Sequence, residues 1–243
     1  MKINLYNNEA IKVMDRLIEK GIIVDAIICD PPYGTTACEW DKILDFNEMW
    51  PRLLKLIKPT GAIVLFGAQP FTAKLINSKS DLFRYEYIWE KSRATNFLNA
   101  KKMPMRKHEN ILVFYQKLCT YNPQGLIEVN QQIKGKRKKS GVYRETSSNN
   151  YIKTHTNYPH SILKFPSLSN GVHPTQKPLD LMEFLVKTYT NEGETVLDFT
   201  MGSGSTGAAA VKNNRNFIGI ELDKKYFEIS KKRIEEVTKW KIF

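Results

Sequence analysis

The tetrapeptide Asp30-Pro31-Pro32-Tyr33 combines the groups needed to hold a poorly nucleophilic amine. It follows the apolar run of residues 24–29, which reads as a buried strand. Two prolines fix their φ angles and donate no N–H, so the turn presents a carboxylate, a carbonyl and a ring from a stiff frame. The exocyclic amino group of a nucleobase has its lone pair delocalised into the ring. Two acceptors, the Asp30 carboxylate and the Pro31 carbonyl, can bind both of its N–H bonds and localise that pair towards an electrophile. Tyr33 can stack on the base, a contact worth about 1–3 kcal/mol. A rigid turn with Asp30 as a cap is the plainer reading of the four residues alone.

A second constellation lies near the other end of the chain. The strand expected over residues 195–199 runs into Gly202-Ser203-Gly204, which opens a helix of small residues, Ala208-Ala209-Ala210. Glycines at such a turn let a ligand approach the backbone at the carboxyl edge of a sheet. Glu221 ends the next expected strand, where its carboxylate can accept from a ribose diol. The turn lacks the lysine of a P-loop and is out of register with a dinucleotide fingerprint. An adenosyl ligand without phosphates fits better.

The charge distribution points to a polyanionic partner. The chain has 37 basic and 25 acidic residues, a net +12. Residues 91–177 hold 16 Lys plus Arg against Glu109, Glu128 and Glu145, so this segment contains the entire excess. Its densest part is Lys134, Lys136, Arg137, Lys138, Lys139 and Arg144, amid Asn, Ser, Tyr and Gly. Such a loop suits a phosphate backbone, each neutralised phosphate adding a salt slope of about −0.9 on B-DNA. A solvated loop with surplus lysines is the alternative.

With 243 residues, 42% hydrophobic and 26% charged, the chain is long enough for one large α/β domain carrying an insertion. No apolar run reaches membrane-spanning length, and the first residues lack the apolar core of a signal peptide. Three cysteines without a CxxC pair, and four histidines, support neither a disulfide framework nor a structural zinc site. No metal site and a reducing, cytoplasmic location are expected.

The elements that must position the two turns follow from periodicity. Strands are predicted over residues 3–6, 24–29, 62–67, 83–89, 110–116, 195–199 and 217–221. Helices are predicted over 8–20 with Asn8 as N-cap, 46–58 ending at Pro59, 70–78, 179–190, 205–212 and 223–237. This alternation predicts a parallel sheet covered on both faces. Periodicity fades over residues 118–170, which are expected to be an insertion between residues 1–117 and 171–243 of one domain. Trp40, in the loop of residues 34–41, is expected either in a lid that fills a vacated base stack or as a buried anchor.

Asp30-Pro31-Pro32-Tyr33 together with the turn of residues 198–204 resembles the S-adenosylmethionine-dependent amino DNA methyltransferases, and the order of the segments resembles their permuted beta group. Lys58-Pro59-Thr60-Gly61, Trp89-Glu90-Lys91, Lys107-His108-Glu109-Asn110 and His173-Pro174-Thr175-Gln176-Lys177-Pro178 match as well. The resemblance covers most of the chain outside residues 118–170. It implies a Rossmann-like methyltransferase fold with circularly permuted motif order and an inserted target-recognition region. It implies S-adenosylmethionine as cofactor and methyl transfer to an adenine flipped out of double-stranded DNA. By that likeness Asp30, Pro31, Pro32 and Tyr33 are catalytic, and Asp30 also counts among the cofactor-binding residues. Asp198, Phe199, Thr200, Met201, Gly202, Ser203 and Gly204 would pack against the methionine part, Glu221 would hold the ribose, and Thr175, Gln176 and Lys177 would lie near the carboxylate. Glu9 stands where relatives often place Asp near the cofactor adenine, and Thr200 stands where they commonly have an aromatic. Many such enzymes dimerise; a restriction endonuclease partner is not determined by the residues. Relatives acting on the cytosine amino group more often have Ser in place of Asp30. RNA or a protein glutamine are further substrates to separate, as is a non-catalytic nucleic-acid-binding module.

Overall fold

Val13, Met14 and Leu17 fall on one face of the first helix and are almost completely buried, so the amphipathic period of this segment seats it on a sheet. The computed structural model describes residues 1–34, 41–134, 149–168 and 176–239. The chain order is β1 (Ile3–Asn7), α1 (Ala10–Glu19), β2 (Val24–Cys29), α2 (Phe46–Leu56), β3 (Ile57–Gly67), α3 (Phe71–Ser78), β4 (Phe83–Thr95) and β5 (Arg106–Phe114). There follow β6 (Ile127–Ile133), β7 (Tyr151–Thr156), β8 (Ile162–Lys164), α4 (Leu179–Tyr189), β9 (Thr195–Asp198), α5 (Ser205–Lys212), β10 (Asn216–Glu221) and α6 (Lys224–Lys239).

Two compact units divide the chain: Met1–Asn122 with Ser161–Phe243, and Pro123–His160. In the first, eight strands lie in the order β1-β10-β9-β2-β3-β5-β4-β8. One face packs α4, α5 and α6 through Leu181, Leu185, Ala209 and Ile234; the other packs α1, α2 and α3 through Met14, Leu53 and Leu75. Coverage of both faces agrees with the sequence expectation. The all-parallel sheet does not, because β5 runs antiparallel to both β3 and β4. Residues 96–105 are too short to carry a crossover helix, so β4 and β5 must form a hairpin.

Several element boundaries also differ from expectation. The helix α1 starts after Glu9, not Asn8, because the Asn8 N–H donates to the Glu221 carbonyl (3.1 Å) and so prolongs the β1–β10 pairing. The helix α2 stops at Leu56, and Pro59 lies inside β3, whose first residue already pairs with Val24. The strands β4 and β5 extend to Thr95 and Arg106, as a two-stranded ladder that beyond Lys91 and Glu109 has mostly exposed residues and so no apolar period to reveal it. Lys58, in one of the matching segments, ties β2 to the start of β9 by bonding Asp25 (2.8 Å) and Glu194 (2.9 Å).

Among its described residues the second unit has β6 and β7 paired antiparallel, with most of their residues exposed. It lies within the span 118–170. Flanking residues of that span pack in the first unit: Cys119 is buried in its core, and β8 pairs with β4.

Candidate active site

The two chemical turns leave the carboxyl ends of neighbouring parallel strands, since β2 pairs with β9 through Ala26 with Val196 and Ile27 with Leu197. From β2 the chain goes to β3 on one side, and from β9 to β10 on the other. This is a topological switch point, where open α/β sheets form ligand crevices. A cavity of about 580 Å³ lies there, within the range of small-molecule sites.

On the β2 side, the cavity is lined by Asp30, Pro31, Pro32 and Tyr33. The Tyr33 hydroxyl donates to Asp30 Oδ1 (2.5 Å), and its ring lies on Phe71 with centroids 5.0 Å apart, which fixes the ring plane. Lys177 Nζ donates to Asp30 Oδ2 and sits 3.4 Å from Glu109 Oε2, while Glu109 Oε1 accepts from Lys91 Nζ (3.1 Å). Two carboxylates therefore alternate with two ammonium groups. This balance is what makes charge tolerable at a site where Lys177 is only 5% exposed. Burial pushes the Asp30 carboxyl up and the Lys177 charge pulls it partly back. Burial would also raise Glu109, but Lys177 and Lys91 outweigh it and hold that carboxyl below its ordinary value.

The β9 side is built from backbone. Gly202, at φ +51°, donates its N–H to Glu221 Oε2 (2.8 Å), and Asp223 N–H donates to Oε1 (2.8 Å). The carboxylate is thus aimed along the turn and retains acceptor capacity on both oxygens. Gly204, at φ +77°, has no room for a side chain, since a Cβ would come within 2.8 Å of Ser230 on α6. Thr200 links the halves: its hydroxyl donates to the Asp30 carbonyl (3.2 Å) and lies 2.9 Å from Cys29 Sγ. Asp198, 2% exposed, accepts from the Thr206 hydroxyl (2.6 Å) and Thr200 N–H (3.2 Å), and burial pushes its carboxyl up to about 7.

A pH dependence follows from Asp198. An acid raised from 3.8 to about 7 binds its proton more tightly in the folded chain than in the unfolded one. Its contribution to stability is therefore greatest below the unfolded pKa and falls as pH rises through that window. Thermal unfolding followed from pH 4 to pH 8 should show the parent chain losing stability that an Asp198→Asn chain keeps. Parallel curves would disprove it.

Most sequence-predicted site residues meet in this cavity. Glu9, Gln176, Lys177, Asp198, Phe199, Thr200, Met201, Gly202, Ser203 and Glu221 line it with the tetrapeptide. Gly204 sits behind it at the start of α5. The Lys177 ammonium, expected near a cofactor carboxylate, is directed at Asp30 and Glu109, while its carbonyl accepts from the Ser205 hydroxyl (3.0 Å). Thr175 lies outside the described residues, as do residues 35–40 with Trp40. So do Lys136, Arg137, Lys138, Lys139 and Arg144; Lys134, just after β6 in the second unit, is exposed. Glu109, a cavity residue, is not among the site residues expected from the sequence. Its signal was that of a lone acid in the basic stretch of residues 91–127. Asp41, Leu222 and Tyr226 also line the cavity and carried no local signal; Asp41 Oδ1 accepts from Gly34 N–H (2.8 Å) and so secures the turn after Tyr33.

The family model N6_N4_Mtase, described as DNA methylase, matches residues 24–232. The chain belongs to this family. Among curated relatives it is 30% identical over 240 residues to the Type II methyltransferase M.HpaI of Haemophilus parainfluenzae, covering 94% of this chain and 73% of the relative. It is 27% identical over 233 residues to the DNA adenine methyltransferase YhdJ of Escherichia coli (strain K12), covering 87% and 76%. The solved M1.HpyAVI-SAM complex has a TM-score of 0.67 and 29% identity, covering 95% of this chain and 99% of that one. The methylase thus has the α/β fold of S-adenosylmethionine-dependent DNA methyltransferases, and S-adenosylmethionine is its cofactor. The site suits that ligand: it offers a carboxylate for a diol at Glu221 and a glycine turn against which a backbone-hugging ligand can lie. No helix among the described residues is long and apolar enough to cross a membrane.

Proposed function

We propose that the methylase modifies the exocyclic N6 amino group of an adenine flipped out of duplex DNA. The observation that carries this reading is that the Asp30 carboxylate and the Glu221 to Gly202 cofactor turn line one cavity. The presence of a carboxylate at position 30, and the 27% identity to a DNA adenine methyltransferase, favour adenine over the cytosine amino group.

Bound S-adenosylmethionine supplies an electrophilic methyl on a sulfonium, held by Glu221, the turn of residues 198–204, Gln176 and Glu9. The chain's own residues do the rest. Asp30 and the Pro31 carbonyl accept the two N–H bonds of the amine and turn its lone pair out of conjugation. As nitrogen forms its new bond to carbon, Asp30 balances the growing positive charge and eases loss of the surplus proton. Its raised pKa suits that task, and the Tyr33 and Lys177 bonds hold its oxygens in place. Extruding the base costs a few kcal/mol, offset by contacts of Tyr33 and of the basic region with the substrate. Residues 118–170, with Lys134, Lys136, Arg137, Lys138, Lys139 and Arg144, form the target-recognition region.

Incubation with methyl-labelled cofactor and unmethylated DNA, followed by digestion to nucleosides, should place the label in N6-methyl-2′-deoxyadenosine. Label in N4-methyl-2′-deoxycytidine would transfer the reading to cytosine. Label confined to RNA or to protein would end it.

A further inference from the structure

The hairpin joining β4 and β5 ends in an apolar tip surrounded by positive charge. Because β5 is antiparallel to β3 and to β4, the Thr95 end of β4 lies at the same sheet edge as the carboxyl ends of β2 and β3. Beyond Gly67, where β3 stops, the pairing continues through Trp89 with Glu109 and Glu90 with His108 to Thr95 with Arg106. On the β5 side this is four residues, from Asn110 to Arg106, which carries the ladder about 13 Å past the edge at the usual rise per residue. Glu109, at the hairpin base, lines the cavity. The hairpin is therefore rooted in the active site and projects from its rim.

The tip is built by local hydrogen bonds. Asn96 adopts φ +70°, Asn99 Nδ2 donates to Asn96 Oδ1 (2.7 Å), and Asn99 O accepts from Lys102 N–H (2.8 Å) and Met103 N–H (3.0 Å). These bonds hold a short 3-10 turn, Phe97–Asn99, that leaves Phe97 71% and Leu98 84% exposed, with Met103 at 51% and Met105 at 41%. Four solvent-facing apolar side chains within one short hairpin tip are the kind of exposed apolar surface that marks an interaction site. Between Glu90 and Glu109 the sequence has six Lys or Arg and no acid. Arg93, Lys101, Lys102 and Arg106 are exposed.

Charge decides the kind of partner. Lysine is depleted at protein–protein interface cores, and a second copy would bring the same cations against these. Apolar residues flanked by cations are the equipment of proteins that enter the DNA base stack. We propose that this tip is a DNA wedge: Phe97 and Leu98 intrude beside the target base and help to displace it, while Arg93, Lys101, Lys102 and Arg106 hold the adjoining phosphates. The inference rests on the DNA-modifying reading above and adds the device that opens the duplex.

The test uses the full chain with Phe97→Ser and Leu98→Ser together. Both side chains are exposed, so the thermal midpoint and cofactor affinity should match the parent. The probe is the duplex sequence found methylated after treating unmethylated genomic DNA with the parent enzyme, prepared intact or with an abasic nucleotide opposite the target. Turnover on the intact duplex should fall about tenfold or more, the equivalent of losing one wedge contact to unstacking. On the abasic duplex, where the base is already unpaired, most of that loss should vanish. Equal loss on both duplexes, or none on either, overturns the wedge. A change in sedimentation of the free protein assigns the tip to a protein interface and overturns it as well. Should the variant prove unstable, Lys101→Ala with Lys102→Ala decides: the slope of log affinity against log salt should become shallower by about 2, and an unchanged slope removes the phosphate contacts. A parent enzyme that labels no DNA would be seen first, and would refute the underlying reading rather than the wedge alone.

Discussion

Asp30→Ala is expected to lower methyl transfer by roughly 10²–10³-fold, the usual effect of deleting a pre-organised group that stabilises developing charge. The fold should survive the change. Lys177 would keep Glu109 at 3.4 Å as a counter-charge, and the Asp30 carbonyl would still accept from the Thr200 hydroxyl. Cofactor affinity should change little, because the Glu221 carboxylate and the Gly202 N–H lie on the other half of the cavity. Steady-state turnover, set beside calorimetric cofactor binding, separates these expectations. Near-normal turnover in a chain that still binds cofactor would remove Asp30 from the chemistry.

The second large effect is expected at Lys177. Substitution by Met keeps the length of the side chain but removes the charge that two carboxylates share. Breaking a buried ion pair from one side costs about 3–5 kcal/mol, which for a chain of this size is a drop of roughly 10 °C in thermal midpoint. Activity should respond separately from stability. Without the ammonium, burial and the Glu109 charge both favour protonated Asp30, so its pKa rises further. The acidic limb of the pH–rate profile should then move to higher pH. Adding Glu109→Gln removes one of the stranded charges and should recover part of both losses. An unmoved pH–rate profile in Lys177→Met would show that the lysine does not set the ionisation of Asp30.

How much of this was readable beforehand depends on the distance over which each feature is encoded. The two turns and their parent strands were local: each is a contiguous apolar run followed by Pro or Gly residues with restricted or special φ angles. The acceptor pair at Asp30 and Pro31, the carboxylate at the end of β10 and the glycine turn of residues 202–204 follow from residues close together in the chain. The basic excess of residues 91–177 was equally plain, being a matter of counting.

Adjacency was another matter. The pairing of β2 with β9 brings Thr200 to Asp30 across 170 positions, and Lys177 reaches Asp30 across 147. No local period reports such contacts, because strand order is decided by which faces and edges the whole set of elements can bury together. The buried alternation of Asp30, Lys177, Glu109 and Lys91 likewise exists only once three distant segments have closed around one charge balance. The antiparallel course of β5 followed from a connection too short to cross over, and it is this hairpin that places Phe97 and Leu98 at the rim. The sequence by itself determined which groups could hold an amine and a nucleoside cofactor. Tertiary packing alone put those groups in one cavity, because long-range pairing and charge compensation are properties of the assembled sheet.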